Sequence, residues 1–264
     1  TDRKTLLRFL ARLGQAELAA GNAVALIERD LGQIAKRNGV FDLTASVLPT
    51  VMFLQLDDGE EHSVKLALGP YRAGGLRFDQ IEGVLMVARE ARAGTLSPSD
   101  GIRRLEAIWK MKHRYRDVGF VFGYLITTIG VALMIRPTWT GLGAVAVLGL
   151  ICALLLVTVR RQPAWSAVMP VVAAFMLSAA VALSYRFGLR EPAMDLLIPP
   201  LIVFLPGSML TVAIVELAFA NVVSGATRLV AGFAQLILLA FGILGGFRAF
   251  GGTLPEVHYD PPGR

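Results

Sequence analysis

Residues 197–217, LIPPLIVFLPGSMLTVAIVEL, are apolar enough for a membrane, yet they hold Pro199, Pro200, the adjacent Pro206 and Gly207, and the carboxylate of Glu216. A proline lacks the amide hydrogen and crowds the carbonyl four residues back. The three prolines therefore disturb the carbonyls of Asp195, Leu196 and Ile202. In hydrocarbon, orphaned backbone groups cost several kcal/mol each, so broken backbone is tolerated only against protein or a water-lined cavity. A single proline reads most simply as a packing kink satisfied by neighbouring helices. Three prolines with a Pro-Gly step favour a site. A helix restarting near Gly207 presents free amides to a carboxylate, and the carbonyls before the break suit a cation. Ser208 and Thr211, in the first turn after the restart, are then the substrate contacts, with Pro206 and Gly207 shaping the translocation site. Pro199, Pro200 and Gly225 are expected as structural helix breaks.

Glu216 lies nine residues beyond Gly207, about 13.5 Å along a helix axis at ~1.5 Å per residue. The charged groups of one α-amino acid are only a few ångströms apart, so one molecule does not reach from the Gly207 amides to Glu216. At roughly 100° per residue Glu216 also points about 140° away from Thr211. Two roles stand side by side. An intramembrane acid is by default a functional group, here one for ion or proton coupling or for gating. Equally, Glu216 sits close enough to the end of its span to pair with Arg228 across a short turn. Asp195 reads as an interface residue on the opposite side, or as a guard of the entrance.

The chain as a whole has 264 residues, 55% of them hydrophobic, and a formal net charge of +6, with a mean hydropathy of +0.59. That profile fits an integral membrane protein better than one soluble domain. Charge is uneven: residues 1–117 hold 18 Lys/Arg and 15 Asp/Glu, residues 118–264 only 8 and 5. A water-facing part of 1–116 is therefore expected, then a transmembrane part of 117–250 and a polar, Pro/Gly-rich linker or tail of 251–264. No signal peptide is visible, and Thr at position 1 suggests a processed form or a fragment. The single cysteine, Cys152, lies in an apolar run, so no disulfide framework is encoded.

Within 4–37, apolar residues at Leu6, Leu10, Leu13, Val24, Ile27, Leu31 and Ile34 follow the three-and-four spacing of an amphipathic helix, with a bend predicted at Gly21 and Asn22. SVLPTVMFLQL and HSVKLAL flank Asp57-Asp58-Gly59-Glu60 as a β-hairpin, Pro49 marking an edge or bulge. A helix near 77–93 ends at Gly94. Another starts at SPSD, 97–100, where Ser97 caps, Pro98 suits the first helical position and Asp100 closes a capping box. Ile102, Leu105, Ile108 and Trp109 form its inner side. These elements make a small α+β domain.

From Val118, 18 uncharged residues give about 27 Å of helix, close to one hydrocarbon thickness. Spans are predicted at 118–135, 141–159, 166–185, 193–217 and 226–247. The fold class is thus a small α+β cytoplasmic domain followed by a five-helix transmembrane bundle whose fourth helix is broken by proline. Lys110, Lys112, Arg114, Arg116, Arg160, Arg161 and Arg228 fall on one side, and Arg136, Arg186, Arg190 and Arg248 on the other. The first side is richer, which puts the amino-terminal domain in the cytoplasm. With five spans, a second unit joined after Arg264 inserts upside down, as in inverted-repeat transporters.

Other chemistries find little support. His62, His113 and His258 lack metal-ligand spacing, and neither a metal nor a cofactor is expected. Ser208 has no histidine among the spans to act as its base, and no Walker loop is present. Basic residues are mixed with acids or sit at span ends, so no nucleic-acid partner is expected.

The order LAAGNAV (18–24), VLPTVMFLQL (47–56), GTLSPSDGIRRLEAI (94–108), LLIPPLIVFLPGSMLTVAIVEL (196–217) and VSGATRL (223–229) resembles the amino-terminal half of the threonine/serine exporter family. Pro206, Gly207, Thr211, Glu216, Gly225 and Arg228 fall on the family pattern; Val212 departs from it, asparagine being frequent there. The resemblance implies a secondary exporter of small amino acids with a cytoplasmic domain, five spans and a second membrane half, fused or separate. It also implies a bacterial cytoplasmic membrane, a proton or another coupling ion, and an oligomer in the lipid bilayer. Two-subunit relatives are associated with dicarboxylates, so succinate-type substrates stay open. A reading of another class is a membrane-anchored sensor or scaffold, and a third is an intramembrane hydrolase.

Overall fold

The computed structural model describes residues 2–57, 62–68, 76–111, 117–135, 137–162, 165 and 168–250. The predicted hairpin turn at 58–61, the basic residues Lys112, Arg114, Arg116 and Arg136, His113, and the tail with His258 lie outside the described residues, as do the side chains of His62, Arg160 and Arg161. The described chain is mostly helical and divides into two compact units, Thr1–Lys112 with Gly207–Gly232, and His113–Pro206 with Phe233–Arg264.

In the first unit the predicted amphipathic helix is two helices, α1 (Arg3–Ala19) and α2 (Val24–Arg37). The expected bend is a full break. The amides of Gly21 and Asn22 turn back to the carbonyls of Leu18 and Glu17, and Gly21 takes a φ of +86° that other residues rarely adopt. A three-stranded antiparallel sheet follows: β1 (Leu43–Val47), β2 (Val51–Asp57) and β3 (His62–Leu68), in the order β1-β2-β3. The predicted hairpin corresponds to β2 and β3, which pair from Val51–Leu68 to Asp57–His62. The run SVLPTVMFLQL folds back on itself, however, so Pro49 lies in the β1–β2 turn rather than at an edge or bulge. There the amide of Leu48 donates to the carbonyl of Val51 at 2.8 Å. Proline suits the turn because its missing donor is not needed there.

Helices α3 (Phe78–Ala93) and α4 (Pro98–Lys110) cover the core. Ser97 caps α4 by accepting from the Asp100 amide at 3.2 Å. The Asp100 carboxylate accepts from the Ser97 hydroxyl at 2.8 Å. Leu105 and Ile108 are buried, and Ile102 and Trp109 pack against the same cluster as Phe9, Leu10, Ile27, Leu31 and Met52. One acid lies inside this unit. Glu17 is 1% exposed; burial, reinforced by Asp30 and opposed by Arg92, pushes its carboxyl up to about 8. Burial thus favours the neutral form of Glu17, while Asp30 pairs with Arg92 at 2.9 Å.

The second unit contains α5 (Asp117–Ile135), α6 (Trp139–Arg161), α7 (Met169–Arg186) and α8 (Ala193–Leu201), with a 3-10 turn over Ile202–Phe204. Two further helices, α9 (Gly207–Ala218) and α10 (Val222–Ala249), complete the described residues. Among the described residues four helices, α5, α6, α7 and α10, are long and apolar enough to cross a membrane; counting α8 and α9 as one broken span gives up to five. The core of this unit mixes large apolar side chains with small residues. Ala132, Cys152, Ala153, Ala173, Ala174 and Ala193 are almost fully buried, as expected where close helix approach replaces a hydrophobic driving force.

Candidate functional site

The apolar run at 193–218 is interrupted once, at Leu205 and Pro206. Pro199 and Pro200 do not break the helix: both are buried inside α8. They leave the carbonyls of Asp195 and Leu196 without their usual amide donors, yet the helix continues to Leu201. Gly225, also expected as a break, lies inside α10. It is instead a point of close approach, because a β-carbon there would come 2.9 Å from the Ala213 carbonyl oxygen and 2.7 Å from Leu217 Cγ.

After Leu201 the chain tightens into i→i+3 bonding, the Leu205 amide donating to Ile202 at 3.1 Å. Carbonyls near the end of α8 then lose their helical donors. Side chains replace them. The Tyr124 hydroxyl of α5 donates to the Pro200 carbonyl and lies 3.1 Å from the Cys152 sulfur of α6, while the Cys152 thiol is itself 3.5 Å from that carbonyl. Beyond the 3-10 turn, the Gln235 amide nitrogen of α10 donates to the Phe204 carbonyl at 2.6 Å. The sequence reading missed Tyr124 and Gln235 and gave Cys152 no role. Their signal is faint: hydroxyl and amide side chains inside apolar runs, which in hydrocarbon need partners.

Beside the break, α8 and α10 enclose a groove of about 220 Å³ lined by Leu197, Leu201, Leu205, Leu236, Leu239 and Ile243 among other apolar residues. Such a lining does not fit the two charges of an amino acid. Asp195 occupies the first turn of α8, where a carboxylate complements the helix dipole.

Helix α9 separates its polar residues by face. Ser208 and Thr211 are exposed, and the Thr211 hydroxyl donates to its own helix at the Gly207 carbonyl, 2.9 Å away. Glu216 is fully buried. One of its oxygens, Oε1, accepts from Arg228 Nε at 3.2 Å and from the Val24 backbone amide at 3.2 Å; Oε2 is buried without a hydrogen-bond partner. The geometry thus brings Glu216 and Arg228 together, keeps Ser208 and Thr211 away from them, and adds a contact to the start of α2 that the sequence reading did not contain. No group of His, Cys, Asp or Glu suited to a metal ion occurs among the described residues.

Comparisons with curated proteins and with solved structures return no match. A family model described as "Putative threonine/serine exporter" matches residues 8–250. That span takes in most of both units, the broken segment and every residue of the Glu216 cluster, and it gives the chain a transport role in a multi-pass membrane protein. The chain belongs to the threonine/serine exporter family.

Proposed function

We propose that this chain is one half of a secondary exporter that moves threonine, serine or a similar small amino acid across a bacterial cytoplasmic membrane by alternating access. In this reading residues 1–116 form a cytoplasmic domain and 117–250 a bundle of five spans, with α8 and α9 together as the fourth. A second membrane half, fused or separate, inserts in the opposite sense, and the transporter works as an oligomer. The observation that carries the reading is the interrupted helix at Pro206 and Gly207, within a chain of an exporter family. Discontinuous helices expose backbone groups that bind substrate and coupling ion. Pro206, Gly207, Ser208 and Thr211 are assigned to the translocation path, Glu216 and Arg228 to coupling or gating by protons or another ion, and Asp195 to the far entrance.

The test is counterflow of labelled threonine, serine and succinate in proteoliposomes holding the chain with its complementary half. Transport of an amino acid supports the reading; movement of succinate alone transfers it to dicarboxylates, and movement of neither ends it. Glu216→Gln is expected to lose proton-driven uptake while keeping exchange. A scaffold role instead predicts that residues 193–218 can be replaced by a plain poly-Leu helix without loss of function.

A further inference from the structure

Helix α2 begins without a cap of its own. Its N-cap is Ala23, in extended conformation and with no side-chain hydrogen bond, although the first amides of a helix have no intrahelical acceptor. Ser, Thr, Asp or Asn ordinarily fills that position. Here the acceptor comes from 192 residues away, as Glu216 Oε1 takes the Val24 amide at 3.2 Å. Two of the donors that follow are met locally, Leu26 and Ile27 both bonding the Ala23 carbonyl. Val24 is therefore the amide whose partner is supplied by α9.

Both sides of this contact are held in place. On one side, the turn from Ala20 to Ala23 is fixed by the amides of Ala20, Gly21 and Asn22 bonding the carbonyls of Ala16, Leu18 and Glu17. On the other, α9 and α10 form a tight hairpin. The Asn221 amide returns to the Glu216 carbonyl at 2.9 Å, and Gly225 lets α10 touch the backbone of α9 at Ala213. Ala213 precedes Glu216 by three residues and Gly225 precedes Arg228 by three, so the same faces that meet at the glycine also present the acid to the guanidinium.

We infer that Glu216 is the cap of α2 and latches the amino-terminal region to the α9–α10 hairpin, with Arg228 positioning the carboxylate and the charge on Glu216 keeping the latch closed. The inference rests on the reading of Glu216 as a coupling or gating group and names what it grips. A negative charge at a helix N-terminus is stabilised by the helix dipole. Neutralising Glu216 removes that attraction and the ion pair with Arg228 together. The acids of α1 and α2 are engaged elsewhere: Glu28 of α2 accepts from the Val47 amide, Asp30 of α2 pairs with Arg92, and burial pushes the Glu17 carboxyl of α1 up to about 8.

Amide hydrogen exchange on the full chain in nanodiscs, read at single-residue resolution, tests the latch. In Glu216→Ala the Val24 amide is expected to exchange about five- to tenfold faster than in wild type, in keeping with loss of a helix cap, and in Glu216→Gln to be accelerated as well, though it retains an acceptor oxygen. Unchanged Val24 exchange in Glu216→Ala overturns the latch. Ala23→Ser in the Glu216→Ala background supplies a local acceptor for the amide of Ala25 or Leu26, and is expected to steady the start of α2 while leaving Val24 exchange fast and proton-driven transport lost. If that double variant transports with wild-type coupling, the latch has no part in gating and the inference falls. Absence of any transport by wild type with its complementary half removes the exporter reading instead, and leaves the exchange result to be judged alone.

Discussion

Helices α8 and α9 come from one apolar run, yet they solve the same problem with different chemistry. At the end of α8, two backbone carbonyls are met by neutral donors, the Tyr124 hydroxyl with the Cys152 thiol at Pro200 and the Gln235 amide at Phe204. Near the end of α9, a carboxylate is met by a guanidinium and a main-chain amide. Neutral donors restore what the interrupted ladder loses, and their strength does not change with a proton. A charged cluster changes its energy by several kcal/mol when one charge disappears. The difference suggests a division of labour in which the α8 end is a fixed strut and the α9 end is the part whose state can be switched.

Removing Arg228 is the strongest challenge to that contrast. Arg228→Ala leaves Glu216 buried with one backbone donor and no counter-charge, and is expected to cost about 3 kcal/mol, the low end for breaking a buried pair because the arginine is itself partly exposed. The double variant Glu216→Gln with Arg228→Ala is expected to recover much of the loss. Denaturation of the full chain in detergent measures both. Equal costs for the single and double variants mean that the charge on Glu216 carries no special weight, and the contrast with α8 disappears.

At the α8 end the expected effects are smaller and share a different logic. Tyr124→Phe leaves the Cys152 thiol 3.5 Å from the Pro200 carbonyl, so its cost is expected near 1 kcal/mol. Adding Cys152→Ala strands the carbonyl and raises the total to about 2–3 kcal/mol, the range for an unsatisfied buried group. If Tyr124→Phe already costs as much as the pair, the thiol is not a second donor. Neither change is expected to abolish proton-driven uptake, whereas Glu216→Gln is.

The same division explains what could be read from the sequence. The interruption at Pro206 was legible because a missing amide hydrogen is a local property of the residue, and the Glu216–Arg228 pair because only a short turn separates two opposite charges. Gly94, Ser97 and Pro98 likewise placed the ends of α3 and the start of α4. By contrast, Tyr124 and Gln235 meet carbonyls 76 and 31 residues away, and no pattern in either run specifies the partner. Val24 was less legible still, since a backbone amide has no side-chain signature; the only trace was an alanine standing where α2 lacks a polar cap. Pro199 and Pro200 misled in the other direction. Position within the helix decides what a proline does, and the end of α8 tolerates two.

The smallest expected effect tests how tightly the hairpin holds the charged cluster. Ala220, between α9 and α10, has a φ of 62°, a left-handed conformation that costs an L-residue roughly 1–2 kcal/mol. It is kept there by a helix-ending turn in which the Ala220 and Asn221 amides bond the Leu217 and Glu216 carbonyls. Ala220→Gly relieves the strain but gives the unfolded chain more freedom, an opposing effect of roughly 0.4–1 kcal/mol, so a net gain under about 1 kcal/mol is expected in the same denaturation assay. The more informative measurement is the coupling between Glu216 and Arg228 in a double-mutant cycle run in both backgrounds. If strain at Ala220 only closes the turn, the coupling energy is unchanged by glycine. If the left-handed alanine also presses the two helices into register, the glycine background weakens the coupling, and the hairpin itself becomes part of the switch.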